Sequence, residues 1–267
     1  MKTTLYMEEI FGKFKDTLFV EKGHTYKKED TTLISVTTLL KQYQEPFNED
    51  YWALWTALKR SGNTMKIWQF KPDTSDYTPF LTVTVEDIKK EWLAARNEGC
   101  DVGNALHQYL EGLWGRKVLD IQCPYDRYKV VRKQANKFYL DFKDVYEPVS
   151  MECVISNKWF GGQIDGLFRN TRTGKLALID YKNDKEIKYE NKYNKFHAPI
   201  SHLDDCNYNK YCLQVSMYKK IFEEETGLEI PEIKIIWFNK DSEDYEIIEP
   251  KILTKEIEDL WLHYLKQ

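Results

Sequence analysis

Between residues 149 and 182 the apolar positions fall into short runs of strand length, interrupted by Asn157-Lys158 and by a turn-rich stretch at 170–174. That pattern predicts three β-strands joined by two reversals. Elsewhere apolar residues recur three or four apart. Ser35 is an N-cap for a short helix carrying Leu39 and Leu40, and a second helix fits 49–60, with Trp52 and Trp55 on one side. A longer helix is expected over 85–114, with Gly99 and Gly103 as the places where it would break, and a further helical block over 126–146. Downstream, a helix over 207–226 ends at Gly227, a natural C-cap. Short strands follow at 233–238 and 244–248, and Thr254 caps a last helix to Gln267. Residues 1–34 read as short strands and turns, with a turn at Lys22-Gly23. Residues 61–84, with Gly62, Pro72 and Pro79, read as a loop. Residues 184–210, carrying Lys185, Lys188, Lys192 and Lys195, read as a mobile or irregular basic segment. The order predicts an α/β fold of mixed α+β type, a central mixed sheet flanked by helices. Residues 1–84 would form a strand and helix extension on a core of 85–267.

The strand cluster carries the chemistry. With a four-residue loop at 171–174, Asn170 pairs with Lys175 and Asp165 falls directly opposite Asp180, their Cβ atoms about 4.5–5.5 Å apart. Lys182, two residues on, shares the face of Asp180. If the preceding turn sets Ser156 opposite Trp159, Glu152 lies across from Gln163. One face then holds Glu152, Gln163, Asp165, Asp180 and Lys182, and the other Ile164, Phe168, Ala177, Ile179 and Tyr181 as core. A slip of one residue would destroy the arrangement. Charged groups on buried strands are costly unless used, and opposed carboxylates suit a hard divalent cation.

At 267 residues the chain can bury a full core, and 42% hydrophobic content excludes disorder. The net charge of −4 does not advertise a nucleic-acid binder, although carboxylate ligands would themselves add negative charge. No apolar run approaches the roughly 18–20 residues needed to span a membrane, and the N-terminus lacks the apolar core of a signal peptide. The five cysteines include no Cys-x-x-Cys pair, which argues against zinc, a redox motif or a disulfide framework. The expected compartment is a reducing cytoplasm, bacterial or that of a phage-infected host.

Gly162-x-x-Asp165 followed by Asp180-Tyr181-Lys182 resembles the core of the PD-(D/E)XK nuclease superfamily. Gly103-Asn104-Ala105-Leu106-His107 upstream resembles the helical Gly-x-x-x-His motif of its RecB-like exonuclease branch. Gln214-Val215-Ser216-Met217-Tyr218 resembles that branch's Gln-x-x-x-Tyr helix. Ile34-Ser35-Val36-Thr37 and the Trp-rich helix behind it are similar to phage-type and mitochondrial genome-maintenance exonucleases. Each motif alone is weak; the ordered set over 99–218 is specific. Asn183 stands where many relatives have Thr, and the first-strand Pro-Asp pair is absent.

The resemblance implies a restriction-endonuclease-like core with a helical N-terminal part, and a metal-dependent DNA exonuclease acting on single strands or duplex ends in recombination, repair or phage DNA processing. Its Mg²⁺ or Mn²⁺ would be held by His107, Asp165, Asp180 and the Tyr181 carbonyl. Lys182 would orient the attacking water, and Glu152 would be a further ligand or an outer acceptor. Gln214, Tyr218 and Gln163 would brace the site or touch the nucleic acid. A recombination or replication protein is the partner class implied. The branch's iron–sulfur cluster is not expected, because no Cys follows Cys212. Two other readings stay open: a structure-specific or restriction-like endonuclease with the same site, and a catalytically silent nucleic-acid-binding protein. Taken singly, His107 beside Leu106 and Leu110 reads as a core histidine, Glu152 as a surface strand residue, and Trp52, Trp55 and Trp114 as core.

Overall fold

Apolar side chains line both faces of the central strands, and helices cover both. The computed structural model describes residues 12–20 and 25–266; the turn expected at Lys22-Gly23 lies outside them. The strands are β1 (Thr17–Val20), β2 (Thr25–Lys28), β3 (Thr31–Ser35), β4 (Tyr146–Ser156), β5 (Phe160–Asn170), β6 (Leu176–Lys182), β7 (Glu232–Trp237) and β8 (Glu246–Ile248). The helices are α1 (Val36–Lys41), α2 (Glu49–Arg60), α3 (Val85–Trp114), α4 (Asp126–Phe142), α5 (Asn207–Thr226) and α6 (Thr254–Tyr264). The fold is mixed α/β. Among the described residues no helix is long and apolar enough to cross a membrane.

The chain divides into two units, residues 46–101 and the remainder. In the smaller, α2 buries Ala53 and Ala57 with Ile88, and Leu58 with Phe70 and Tyr77. Trp52, expected in the core, is instead 39% exposed, because the buried stripe of α2 runs through the two alanines. In the larger unit the eight strands run in the order β1-β2-β3-β5-β6-β7-β8, with β4 paired to β5. The β3–β5 and β6–β7 pairs are parallel and the others antiparallel. One face packs Leu167, Leu176 and Leu178 against Leu213, Val215, Met217 and Ile221 of α5, with α1 and α6 in the same layer. The other packs Phe168, Ala177, Ile179 and Tyr181 against Leu106 and Leu110 of α3 and Val131 and Phe138 of α4. Trp114 lies in this second layer, as expected.

Local chemistry accounts for most element ends. Ser35 Oγ accepts from Thr38 N at 3.0 Å and caps α1, and Gly227 closes α5 at φ +70°. Leu253, not Thr254, occupies the cap position of α6, and its N–H donates to Ser216 Oγ at 2.9 Å. Helix α3 runs unbroken through Gly99 and Gly103. A glycine inside a helix costs about 1 kcal/mol, but Val102, Leu106 and Leu110 bury a continuous stripe. A Cβ at Gly103 would also meet the Asn183 side chain at 3.4 Å, so the small residue lets that side chain approach. Helix α4 stops at Phe142, short of the expected end, because Tyr146 pairs with Asn170 and begins β4. The segment between β6 and α5 is irregular, yet pinned: Lys188 N donates to Asn207 Oδ1 at 2.7 Å and His197 N to Tyr43 O at 2.8 Å. Lys188, Lys192 and Lys195 each have a carboxylate at 3.7 Å, on Glu186, Glu190 and Asp204, which blunts its basic character.

The β5–β6 register is the expected one. Asn170 N donates to Lys175 O at 2.9 Å, and the paired positions run from Arg169↔Leu176 to Gly166↔Ile179, so Asp165 and Asp180 come next. The β4–β5 register differs from expectation by two residues. Asn157 Oδ1 accepts from Trp159 N and Phe160 N, at 2.9 and 2.8 Å, and builds a four-residue turn in place of two. Ser156 therefore pairs with Gly161 and Val154 with Gln163, which leaves Glu152 opposite Asp165. The shift is even, so strand period alone would leave Glu152 on its expected face.

Gly161 is constrained by a close approach: a Cβ there would lie 2.5 Å from Tyr26 Cβ. Gly161→Ala is expected to lower stability by about 1–3 kcal/mol, read as a lower urea midpoint at unchanged slope. An unchanged midpoint would contradict the packing of Tyr26 over this strand.

Candidate metal centre

Side-chain alternation along β4 breaks at the bulge between Pro148 and Ser150 and again at Glu152. Met151 packs in the α3–α4 layer and Cys153 in the α5 layer, although residues two apart on a strand share a face. Across the ladder, Ile164 lies in the α5 layer and Phe168 in the other, which corrects the expectation that they share one core face. The reversal falls at Glu152 and Asp165, the pair the β4–β5 ladder skips. Glu152 adopts φ +49°, the left-handed region, which costs a non-glycine residue on the order of 1–3 kcal/mol. Gln163 Nε2 holds it there, donating to Glu152 Oε2 at 2.9 Å and reaching its carbonyl at 3.4 Å.

At this break His107 arrives from α3. Its Nδ1 is 3.1 Å from Glu152 Oε1 and 3.7 Å from Asp165 Oδ1. Ligand atoms of His107, Glu152 and Asp165 lie within 4.8 Å of one another, a spacing one metal ion could bridge. Asp165 Oδ2 accepts from Tyr181 N at 2.7 Å, which ties the Tyr181 backbone to the site. The Tyr181 ring stands edge-on to His107 with centroids 5.7 Å apart. Asp180, 1% exposed, turns to Lys182: Oδ2 is 2.7 Å from Nζ. Both Asp180 oxygens are buried without a geometric hydrogen bond among the described residues, so Oδ2 has its ion pair with Lys182 and Oδ1 has no cation beside it. Gln214 and Tyr218 hydrogen-bond to each other at 3.0 Å, and the Tyr218 ring covers Gly162, where a Cβ would lie 2.5 Å from Cε1.

Three further residues lie near the site although they were not expected there. Tyr26 of β2 is buried near the acids: burial first, then Glu152 and Asp165, push its phenol up to about 12. No motif marks it. Asp184 and Tyr211 do carry a signal. Asp184 continues the two-residue spacing of Asp180 and Lys182, and Tyr211 precedes Gln214 and Tyr218 at helical spacing. The Lys182 ammonium lies 4.9 Å from the centroid of the Tyr211 ring, whose hydroxyl donates to Asp184 Oδ2 at 2.5 Å.

Burial dominates the carboxyl groups. It raises Asp165, against the pull of His107 and Lys182, and raises Asp180 to about 6, with Lys182 opposing. For His107 burial opposes the charge, but Asp165 and Glu152 outweigh it and hold the imidazolium up to about 9. Burial likewise opposes the Lys182 charge, and Asp180 and Asp165 restore and exceed it. With the carboxylates ionised, three acids face two cations. A divalent cation replacing the His107 proton would bring the group to neutrality. Oxygen donors with one imidazole suit Mg²⁺ or Mn²⁺, and the bare Asp180 Oδ1 is a further acceptor beside them. The residues present therefore fit such an ion.

The chain matches no protein-family model and no curated protein.

Because His107 is raised to about 9, metal binding has to displace its proton. Affinity for Mn²⁺ should rise with pH, by about tenfold per unit below 9 if one proton leaves. Calorimetry in buffers of different ionisation enthalpy should show close to one proton released at pH 7, and His107→Ala should abolish that release. Without metal the sign reverses. The raised His107 contributes stability that is complete below its ordinary 6.5 and lost as pH rises through about 9.

Proposed function

We propose that this chain is a metal-dependent deoxyribonuclease with a restriction-endonuclease-like core, hydrolysing phosphodiester bonds from DNA ends. The observation that carries the reading is the gathering of His107, Glu152 and Asp165 within 4.8 Å, with the Asp180–Lys182 pair on the adjoining strand. The sequence motifs that resemble the RecB-like branch supply the choice of DNA and of ends; the cluster supports a cation and a polar, charged reaction centre.

His107, Glu152 and Asp165 would hold the ion, with Asp180 beside them. Mg²⁺ or Mn²⁺ bound there supplies a lowered water pKa and neutralises charge on phosphate oxygens. The protein's own groups do the rest. Lys182, whose charge is felt at both Asp165 and His107, is a half-buried cation able to hold a phosphate oxygen and orient the attacking water. Water forms the new bond to phosphorus, the phosphorus–oxygen bond to one sugar breaks, and the departing oxygen takes up a proton. Asp180 keeps the Lys182 ammonium at the site, and Gln163 and the Tyr181 N–H hold Glu152 and Asp165 in place. Tyr218 and Gln214 form a polar wall from α5. The setting we favour is the cytoplasm of a bacterial or phage-infected cell, in recombination, repair or phage DNA processing.

End-labelled linear DNA and covalently closed circles, incubated with Mg²⁺ or Mn²⁺, separate the outcomes. Loss of the linear form alone is expected, with no loss in EDTA. Lys182→Ala should reduce the rate at least about 100-fold and Asp165→Asn should abolish it. Nicked circles would turn the assignment to an endonuclease. No cleavage, or full activity in Lys182→Ala, would overturn the nuclease reading.

A further inference from the structure

We propose that Tyr211 is a positioning residue for Lys182, a surface of fixed orientation on which the ammonium rests beside Asp180; this rests on the nuclease reading for its catalytic consequence. A lysine head group on a four-carbon stem has no preferred direction of its own. Here two contacts confine it. Asp180 Oδ2 lies 2.7 Å from Nζ on one side, and the Tyr211 ring faces Nζ at 4.9 Å on another. The ring face carries negative potential, so it attracts the cation without a localised charge that would compete with a phosphate oxygen.

The ring is itself fixed from two directions. Its hydroxyl donates to Asp184 Oδ2 at 2.5 Å, and the Asp184 carbonyl accepts from Trp237 Nε1 at 2.8 Å, which fastens the chain just past β6 to β7. The body of the ring packs beside Cys206, Cys212 and Ile235. Phe238 N donates to the Lys182 carbonyl at 2.8 Å, so the lysine backbone is held from the same side. Tyr211, Gln214 and Tyr218 fall at i, i+3 and i+7 on α5 and form one stripe. That stripe assigns a different task to each position. Tyr218 covers Gly162, Gln214 donates to the Tyr218 hydroxyl, and Tyr211 orients Lys182.

Tyr211→Leu keeps an apolar filler and removes the ring face; Tyr211→Phe keeps the face and removes the link to Asp184. The first measurement needs no catalysis: the rate of reductive methylation of Lys182, read by mass spectrometry on the full chain. Tyr211→Leu should be modified about tenfold faster than wild type, and Tyr211→Phe should stay within about threefold. In the cleavage assay Tyr211→Leu should lose kcat by about tenfold or more, with KM for DNA and Mn²⁺ affinity unchanged. Unchanged methylation in Tyr211→Leu would overturn the proposal, and so would equal losses in the Leu and Phe variants. A kcat loss matched by weaker Mn²⁺ binding would overturn it as well. If wild-type protein cleaves nothing, the nuclease reading falls, while the methylation rates still decide whether Tyr211 positions the lysine.

Discussion

The structure depends on the interruption at Glu152 and Asp165, where β4 and β5 exchange faces. A regular antiparallel pair would send Glu152 and Asp165 into one apolar layer or the other, where an ionised carboxylate has no compensation. The reversal at this pair lets residues on either side remain in their own cores, with Cys153 and Ile164 towards α5 and Met151 and Phe168 towards α3. The two acids stand in the gap. The left-handed backbone of Glu152 is the local cost, and the Gln163 amide, bound to both carboxylate and carbonyl, holds it. Unfavourable backbone of this kind persists only where the surrounding contacts over-determine it.

Charge balance then determines which distant elements must meet there. Asp165, 8% exposed, and Asp180, 1% exposed, need cations or a metal within a few ångströms. His107 comes from the helical layer on one face. Lys182 comes from the neighbouring strand, with Tyr211 from the helical layer on the other. Each layer therefore contributes to holding the centre, and the centre is complete only when both are packed. That coupling ties the charged groups to both helical layers.

Much of this was legible along the chain. Ser35 as a cap, Gly227 as a helix stop, the helix from Glu49 to Arg60 and the Asp165–Asp180 register all follow from neighbours within a few residues. The errors have a common origin. The Asn157 turn looked like two residues because its Asx hydrogen bonds to Trp159 and Phe160 leave no compositional trace. Gly99 and Gly103 looked like breaks because propensity ignores the buried stripe and Asn183. Trp52 looked like core because size suggests burial, whereas Ala53 and Ala57 turn α2 the other way.

By itself the sequence determined the strand and helix periods, the caps, the pairing of β5 with β6, and so the closeness of two acids and a lysine. These are local properties, governed by backbone geometry and spacing. Only the tertiary structure decided that Glu152 joins His107 and Asp165 in one cluster, while Asp180 turns to Lys182. It also decided that Tyr26 and Tyr211 close around them. Those choices depend on where alternation breaks and on which buried charge finds which counter-charge, and both are settled by packing between residues far apart in the chain.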